Sequence, residues 1–373
     1  MQVLEYCQSR LGDFLNTLEQ VVGLESPSQE RELVNRLGDY LAGRLEALGG
    51  SVQKIPGHPQ GDHLLAHLGR GEGKPVLVLC HMDTVFAPGG VGPFRIEGPH
   101  ARGPGVLDMK CGIVQLLYAL EAARDLGLDT GPLRVIINSD EEIGSPTSRA
   151  AIEEHARQSR HVLVLEPGIG PDGKLKVARK GVGMFSISVQ GRAAHAGADP
   201  GAGASAVVEL AHQILALHRL NDASTGTTVN VAPIYGGTRS NVVPEQAGAS
   251  IDVRVTTWDG AEKILRALQG LAPVTPGTTV EVRGGLNRPP MECSPAMAEL
   301  ARRAQGFAQE LGFCLETGMT GGASDGNFTA ALGVPTLDGL GGAGGAAHSG
   351  DEYAVIAAFA PRTALLTRVL TEM

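Results

Sequence analysis

Apolar residues recur at helical spacing from the start of the chain, through Leu4, Leu11, Phe14, Leu15, Leu18, Val21 and Val22, and predict an opening helix. A second helix is predicted after Ser26-Pro27-Ser28, with Leu33, Leu37, Leu41 and Leu45 on one face and Ser28 as its N-cap. Three continuous apolar runs of strand length follow at 76–80, 133–137 and 162–165, with helical stretches at 112–126 and 145–158 between them. Such runs alternating with helices predict a parallel sheet covered on both faces. From Lys176 to about Val282 the pattern changes. Residues 183–190 and 247–255 alternate apolar with polar, and helical stretches lie at 204–218 and 260–270, as in an α+β module with an antiparallel sheet. After Arg288-Pro289-Pro290 the earlier style returns at 296–311, 334–337 and 354–371. The pattern therefore predicts an α/β domain, 1–176 and 287–373, interrupted by an inserted module, 177–286.

Side chains that carry chemistry gather where the apolar runs stop. The first ends in His81-Met82-Asp83, the second is followed by Asp140-Glu141-Glu142, and the third by Glu166. Ligands of open α/β sheets bind outside the carboxyl ends of the strands. Asp108 follows the turn Gly103-Pro104-Gly105, and His348 lies in the glycine-rich stretch 341–350. Imidazole and carboxylate donors without thiolate suit zinc, manganese or cobalt. Two histidines and three carboxylates are too many for one catalytic zinc, but fit two ions that share a carboxylate. Of the adjacent Glu141 and Glu142, one can hold metal while the other takes a proton from water. Asp83, two residues beyond His81, can reach the far imidazole nitrogen and fix its tautomer. Each feature is commonplace alone; their coincidence at successive strand ends points to a metal centre.

Composition narrows the function classes. A chain of 373 residues, 42% of them hydrophobic, is long for a single core. With 40 acidic against 31 basic residues its net charge is −9, which argues against a nucleic-acid interface. No apolar run approaches the roughly 20 residues of a membrane helix. The first residues carry Glu5, Arg10, Asp13 and Glu19 and lack the basic start and apolar block of a signal peptide, so a cytoplasmic protein is expected. Five scattered cysteines without a Cys-x-x-Cys pair predict reduced thiols. The absence of a Gly-x-Ser-x-Gly elbow before a helix counts against a serine hydrolase.

The segments His81-Met82-Asp83-Thr84-Val85, Gly103-Pro104-Gly105-Val106-Leu107-Asp108-Met109-Lys110 and Asp140-Glu141-Glu142-Ile143-Gly144-Ser145 resemble, in order, the motifs of the dizinc metallopeptidases and amidohydrolases. That family includes glutamate carboxypeptidase, acetylornithine deacetylase, succinyl-diaminopimelate desuccinylase, aminoacylase and tripeptidase. The resemblance implies a zinc peptidase-like catalytic domain with an inserted ferredoxin-like dimerisation lid, and hence a homodimer. It implies two zinc ions per chain, replaceable by cobalt or manganese. Asp108 resembles the bridging ligand, His81 and Glu166 the other ligands of one ion, and Glu142 and His348 those of the second. Glu141 resembles the general base that activates a metal-bridging water, and Asp83 the group that orients His81. A cis peptide after Asp108 is also implied. Cys111 departs from the pattern, since many members have glycine there, and a difference in packing is expected.

Gly191-Arg192-Ala193-Ala194-His195-Ala196-Gly197 is similar to the segment whose histidine reaches the active site of the partner subunit, where His195 would donate to the substrate carbonyl. The stretch 236–244, with Asn241, and Asp252-Val253-Arg254 look like elements that bind a substrate carboxylate, Arg254 through both arms of its fork. Leu286-Asn287-Arg288-Pro289-Pro290 and Thr320-Gly321-Gly322-Ala323-Ser324-Asp325 are most similar to the glutamate carboxypeptidase branch, and add Arg288, Gly321 and Gly322 as substrate contacts. The expected activity is hydrolysis of a peptide or N-acyl amino-acid amide bond in a small substrate with a free carboxylate. The alternatives are an acetylornithine or succinyl-diaminopimelate deacylase and a non-catalytic metal-binding scaffold.

Overall fold

The strand ending at His81 is buried at all six of its positions, because the sheet around it is covered on both faces. The computed structural model describes residues 2–373. They divide into two units: one takes in the chain up to Ala178 with Cys293–Thr320 and Ser324–Met373, the other Arg179–Glu292 with Gly321–Ala323. The first unit is built on β1 (Ser51–Ile55), β2 (His63–Leu68), β3 (Val76–His81), β4 (Leu133–Asn138), β5 (His161–Val164) and the short strand Thr336–Leu337. Their spatial order is β1-β2-β4-β3-β5 and then Thr336–Leu337. β3 runs parallel to β4 and β5, and Thr336–Leu337 parallel to β5. β1 and β2 add an antiparallel edge.

The helices of this unit include α1 (Val3–Ser9), α2 (Leu11–Gly23), α3 (Arg31–Ala47), α4 (Cys111–Asp125) and α5 (Arg149–Arg157). The expected opening helix is broken at Arg10 (φ −97°, ψ 4°). The two pieces serve different cores: Tyr6 and Cys7 pack with Ala122, Ala360 and Ala364, whereas Phe14, Leu18, Val21 and Val22 join the main core. The N-cap of α3 is Glu30 rather than Ser28. The Ser28 hydroxyl instead donates to Asp83 at 2.7 Å, so a tertiary partner overrides the local capping preference.

The second unit is an antiparallel sheet of β6 (Gly181–Gln190), β7 (Thr228–Gly236), β8 (Gln246–Val255) and β9 (Thr279–Arg288), in the order β7-β8-β6-β9. Helices α6 (Ala206–His218) and α7 (Trp258–Gln269) cover it, setting Leu210, Leu217, Ile264 and Leu268 against Ile187, Ile251 and Val253. Ser205 and Thr257 cap them through side-chain oxygens that accept from Val208 N and Gly260 N. β9 continues through Arg288, and Arg179 and Met291 exchange backbone hydrogen bonds. Residues 287–292 and the turn Gly321–Ala323 group with the second unit, a few residues past the boundary expected at 286/287. Among the described residues no helix is long and apolar enough to cross a membrane.

Candidate metal centre

The carboxyl ends of the parallel strands place the candidate ligands. β3 ends on His81, β4 runs into Asp140-Glu141-Glu142, and β5 into Leu165-Glu166. Gly105, in the left-handed region at φ 68°, turns the chain into Val106–Lys110 and presents Asp108 at the same edge. The Asp108–Met109 peptide is cis. His348, at φ 65°, arrives from the glycine-rich loop and is half exposed.

Asp108 stands between the two histidines. Its Oδ1 lies 3.1 Å from His81 Nε2 and its Oδ2 3.3 Å from His348 Nε2. Glu166 Oε1 is 3.4 Å from His81 Nε2, and Glu142 Oε2 is 3.1 Å from His348 Nε2. Potential donor atoms of Glu141, His81 and Glu166 fall within 4.8 Å of one another, as do those of His81, Asp108 and Glu142. His81 Nδ1 donates toward the Asp83 carbonyl at 3.1 Å, with Asp83 Oδ1 at 3.5 Å, so the ring is oriented with Nε2 toward Asp108 and Glu166. The Asp83 carboxylate also accepts from Glu141 N and Glu142 N, both at 3.1 Å. Asp140 fixes the same turn by accepting from the backbone and hydroxyls of Thr147 and Ser148.

This donor set fits a pair of cations. Tetrahedral ligands about 2.0–2.1 Å from zinc stand about 3.3 Å apart, close to the four nitrogen–oxygen separations above. The electrostatics agree. Burial opposes a charge on His81, yet Asp108, Asp83 and Glu166 hold its imidazolium well above the ordinary histidine range. Contacts with Asp108 and Glu142 push His348 up to about 11. Burial would raise Asp108, but His348 and His81 outweigh it and hold its carboxyl well below the usual range. The carboxylates thus favour positive charge on both imidazoles.

Sequence reasoning did not find three neighbours of the centre. Lys176 Nζ lies 3.6 Å from Glu166 Oε2, the Ser28 hydroxyl supports Asp83, and Glu352 accepts from Leu107 N and Asp108 N. The one signal for Glu352 was its place four residues after His348. Cys111 lies under the glycine-rich loop, its Sγ 3.0 Å from where a Cβ on Gly342 would stand, and burial pushes its thiol up to about 12. A cavity of about 370 Å³ opens beside Glu142, lined by Pro27, Thr84, Val85, Phe86 and Ile143 among others.

The second unit holds the remaining candidates. His195 is exposed, and its Nδ1 accepts from Gly197 N at 3.2 Å and Ala198 N at 3.0 Å, so in the neutral ring Nε2 carries the hydrogen. The Asn241 carbonyl accepts from Ala196 N, which sets Asn241 beside His195. Arg254 makes a two-armed pair with Asp252, at 2.8 and 2.9 Å. Arg288 is buried at the end of β9, and Arg179 Nη1 donates to the Gly322 carbonyl at the Gly321-Gly322 turn.

Known proteins resemble this chain in sequence and fold. Residues 77–372 match the family described as Peptidase family M20/M25/M40. Carboxypeptidase G2 of Pseudomonas sp. (strain RS-16) is 33% identical over 372 residues, spanning 96% of this chain and 89% of that protein. Acetylornithine deacetylase of Myxococcus xanthus is 28% identical over 274 residues, spanning 68% and 70%. The crystal structure of aminopeptidase PepT from Bacillus cereus ATCC 10987 is similar in fold, with a TM-score of 0.81 over 97% of this chain and 98% of that one, at 21% identity.

Proposed function

We propose, from the premise that the chain belongs to peptidase family M20/M25/M40, that this hydrolase cleaves the amide bond of an N-acyl amino acid or short peptide with a free carboxylate, a glutamyl one foremost. The observation that carries the reading is Asp108, whose two oxygens face different histidines, each accompanied by its own glutamate. His81, Asp108 and Glu166 would hold one zinc ion, and Asp108, Glu142 and His348 a second; cobalt or manganese suits the same donors. When bound, the pair supplies Lewis acidity and lowers the pKa of water. Glu141 takes the proton of the attacking water and passes it to the leaving amine. Asp83 keeps His81 in the tautomer that points Nε2 at the centre. His195 donates its Nε2 hydrogen to the substrate carbonyl oxygen.

Asn241 and Arg254 take the substrate carboxylate, Arg254 by exchanging Asp252 for it, with Arg288 and the backbone at Gly321 and Gly322 as further contacts. The cavity beside Glu142 suits the acyl group. The residues around it include no lysine or arginine, which favours a neutral acyl group over succinyl. The second unit is read as a dimerisation module. Five unpaired cysteines suit a reducing compartment such as the cytoplasm.

Metal content and amino-acid release from acyl-glutamate, acyl-ornithine, succinyl-diaminopimelate and dipeptides, before and after chelation, test the reading. About two zinc-class ions per chain and chelator-sensitive glutamate release are expected. Turnover confined to acyl-ornithine would transfer the substrate to the deacetylase reading. Glu141→Ala should lower kcat by about 10²–10⁴-fold with metal content intact; an undiminished rate would remove Glu141 from the mechanism.

A further inference from the structure

One carboxylate lies directly behind the candidate centre without belonging to its donor set. Glu352 is 1% exposed, and its Oε1 accepts the backbone N–H of Leu107 at 2.7 Å and of Asp108 at 2.9 Å. Its Oε2 is buried and has no hydrogen-bond partner among the described residues. A carboxylate enclosed in this way is costly unless the groups it holds repay its lost hydration. What it holds is the backbone of the residue that faces both histidines.

Glu352 also closes the turn that carries His348. Ser349 N and Oγ donate to the Ala346 carbonyl, Asp351 N to Ser349 Oγ, and Glu352 N to the Ser349 carbonyl. Ala346 and His348 are both left-handed, so this is a tight turn, and its far end is the Glu352 side chain. His81 and Glu166 need no such tie, because the sheet places them: one ends buried β3 and the other follows β5. One half of the centre therefore stands on strands, and the other half on a loop.

We propose that Glu352 is a positioning residue that fastens the His348 loop to the Asp108 backbone, and so sets the spacing of Asp108, Glu142 and His348. The proposal rests on the two-ion reading given above. Its consequence is unequal, because Asp108 belongs to both ligand sets but His348 to only one: loss of the tie should weaken one of two binding steps far more than the other.

The test is stepwise zinc titration of the full chain after dialysis against a chelator, with thermal unfolding measured in parallel. Wild type should show two steps. Glu352→Gln keeps an acceptor oxygen for the two amides, and both of its steps should stay within about threefold of wild type. Glu352→Leu should weaken one step by about 10–100-fold and leave the other within about threefold. Should Glu352→Leu not fold, Glu352→Asp, which withdraws the oxygens by one carbon, carries the same expectation. Unchanged steps in the Leu or Asp variant, equal weakening of both in step with a lower Tm, or a Gln variant as impaired as Leu would each overturn the tie. A single step in wild type would instead overturn the two-ion reading, and the tie with it.

Discussion

Three donors converge on the Asp83 carboxylate: the backbone N–H groups of Glu141 and Glu142 and the hydroxyl of Ser28. One buried side chain thus holds the turn with the candidate base, and its Oδ1 also stands 3.5 Å from His81 Nδ1 at the end of β3. Ser28→Ala should lower kcat/KM several-fold and cost about 1 kcal/mol of stability, whereas Asp83→Asn, which removes the charge, should lower kcat/KM by about 10–100-fold. Steady-state kinetics with denaturant unfolding of both variants checks this; equal, small effects would mean that the charge on Asp83 is idle. His81, Asp140 to Glu142 and Glu166 were legible in the sequence because each terminates an apolar run, and a strand's end is a local signal. Ser28 was read as a helix cap because its partner lies 55 residues away, and Glu352 reaches its amides across 244 and 245 residues. No local pattern marks contacts of that range.

Hydrophobic runs foretold β3, β4 and β5; of the strands that escaped notice, β2 is buried at five of its six positions but has His63 and His67 in its apolar run, whereas β7 and β9 bury little. Much of β7 is exposed, and it contains Pro233 and a register shift between Val231 and Ile234; β9 contains Gly284 and Gly285 and only Arg288 is fully buried. The connection between α7 and β9 depends on α6 instead, through Glu209, which accepts from Gln213 and from the backbone N–H groups of Val274 and Thr275. Burial alone would raise Glu209, but these hydrogen bonds bring it down to about 2. A carboxyl depressed in the folded state stabilises it fully above its ordinary value near 4.5, and loses that contribution as pH falls toward 2. Glu209→Gln should therefore unfold more easily than wild type at pH 7, and the gap should narrow below pH 4. The chain's one tryptophan, Trp258, begins α7 and reports on this unit by fluorescence. A gap that stays constant with pH would detach Glu209 from acid stability.

At the scale of the molecule, the division into an α/β part and an α+β part followed from a change in hydrophobic period, from continuous runs to alternation. β9 carries on through Arg288 to Pro289 and Pro290, past the boundary expected at 286/287. The first unit is in three pieces, and its last pieces supply a strand, a helix against α4, His348 and Glu352. Zinc should raise Tm and a chelator reverse the rise, by about 2.7 kcal/mol of added stability at a free ion concentration 100 times Kd. Scanning calorimetry of the full chain checks this, and a Tm indifferent to zinc would separate the centre from the fold. The same connectivity orders events during translation. A nascent chain that has just cleared the ribosome through β9 already has His81, Asp108, Glu141, Glu142 and Glu166, with the second unit synthesised, but neither His348 nor its anchor. One half of the centre can form while synthesis continues; the other waits until His348 and Glu352 have been added. A chain released before His348 would lack the second half of the centre.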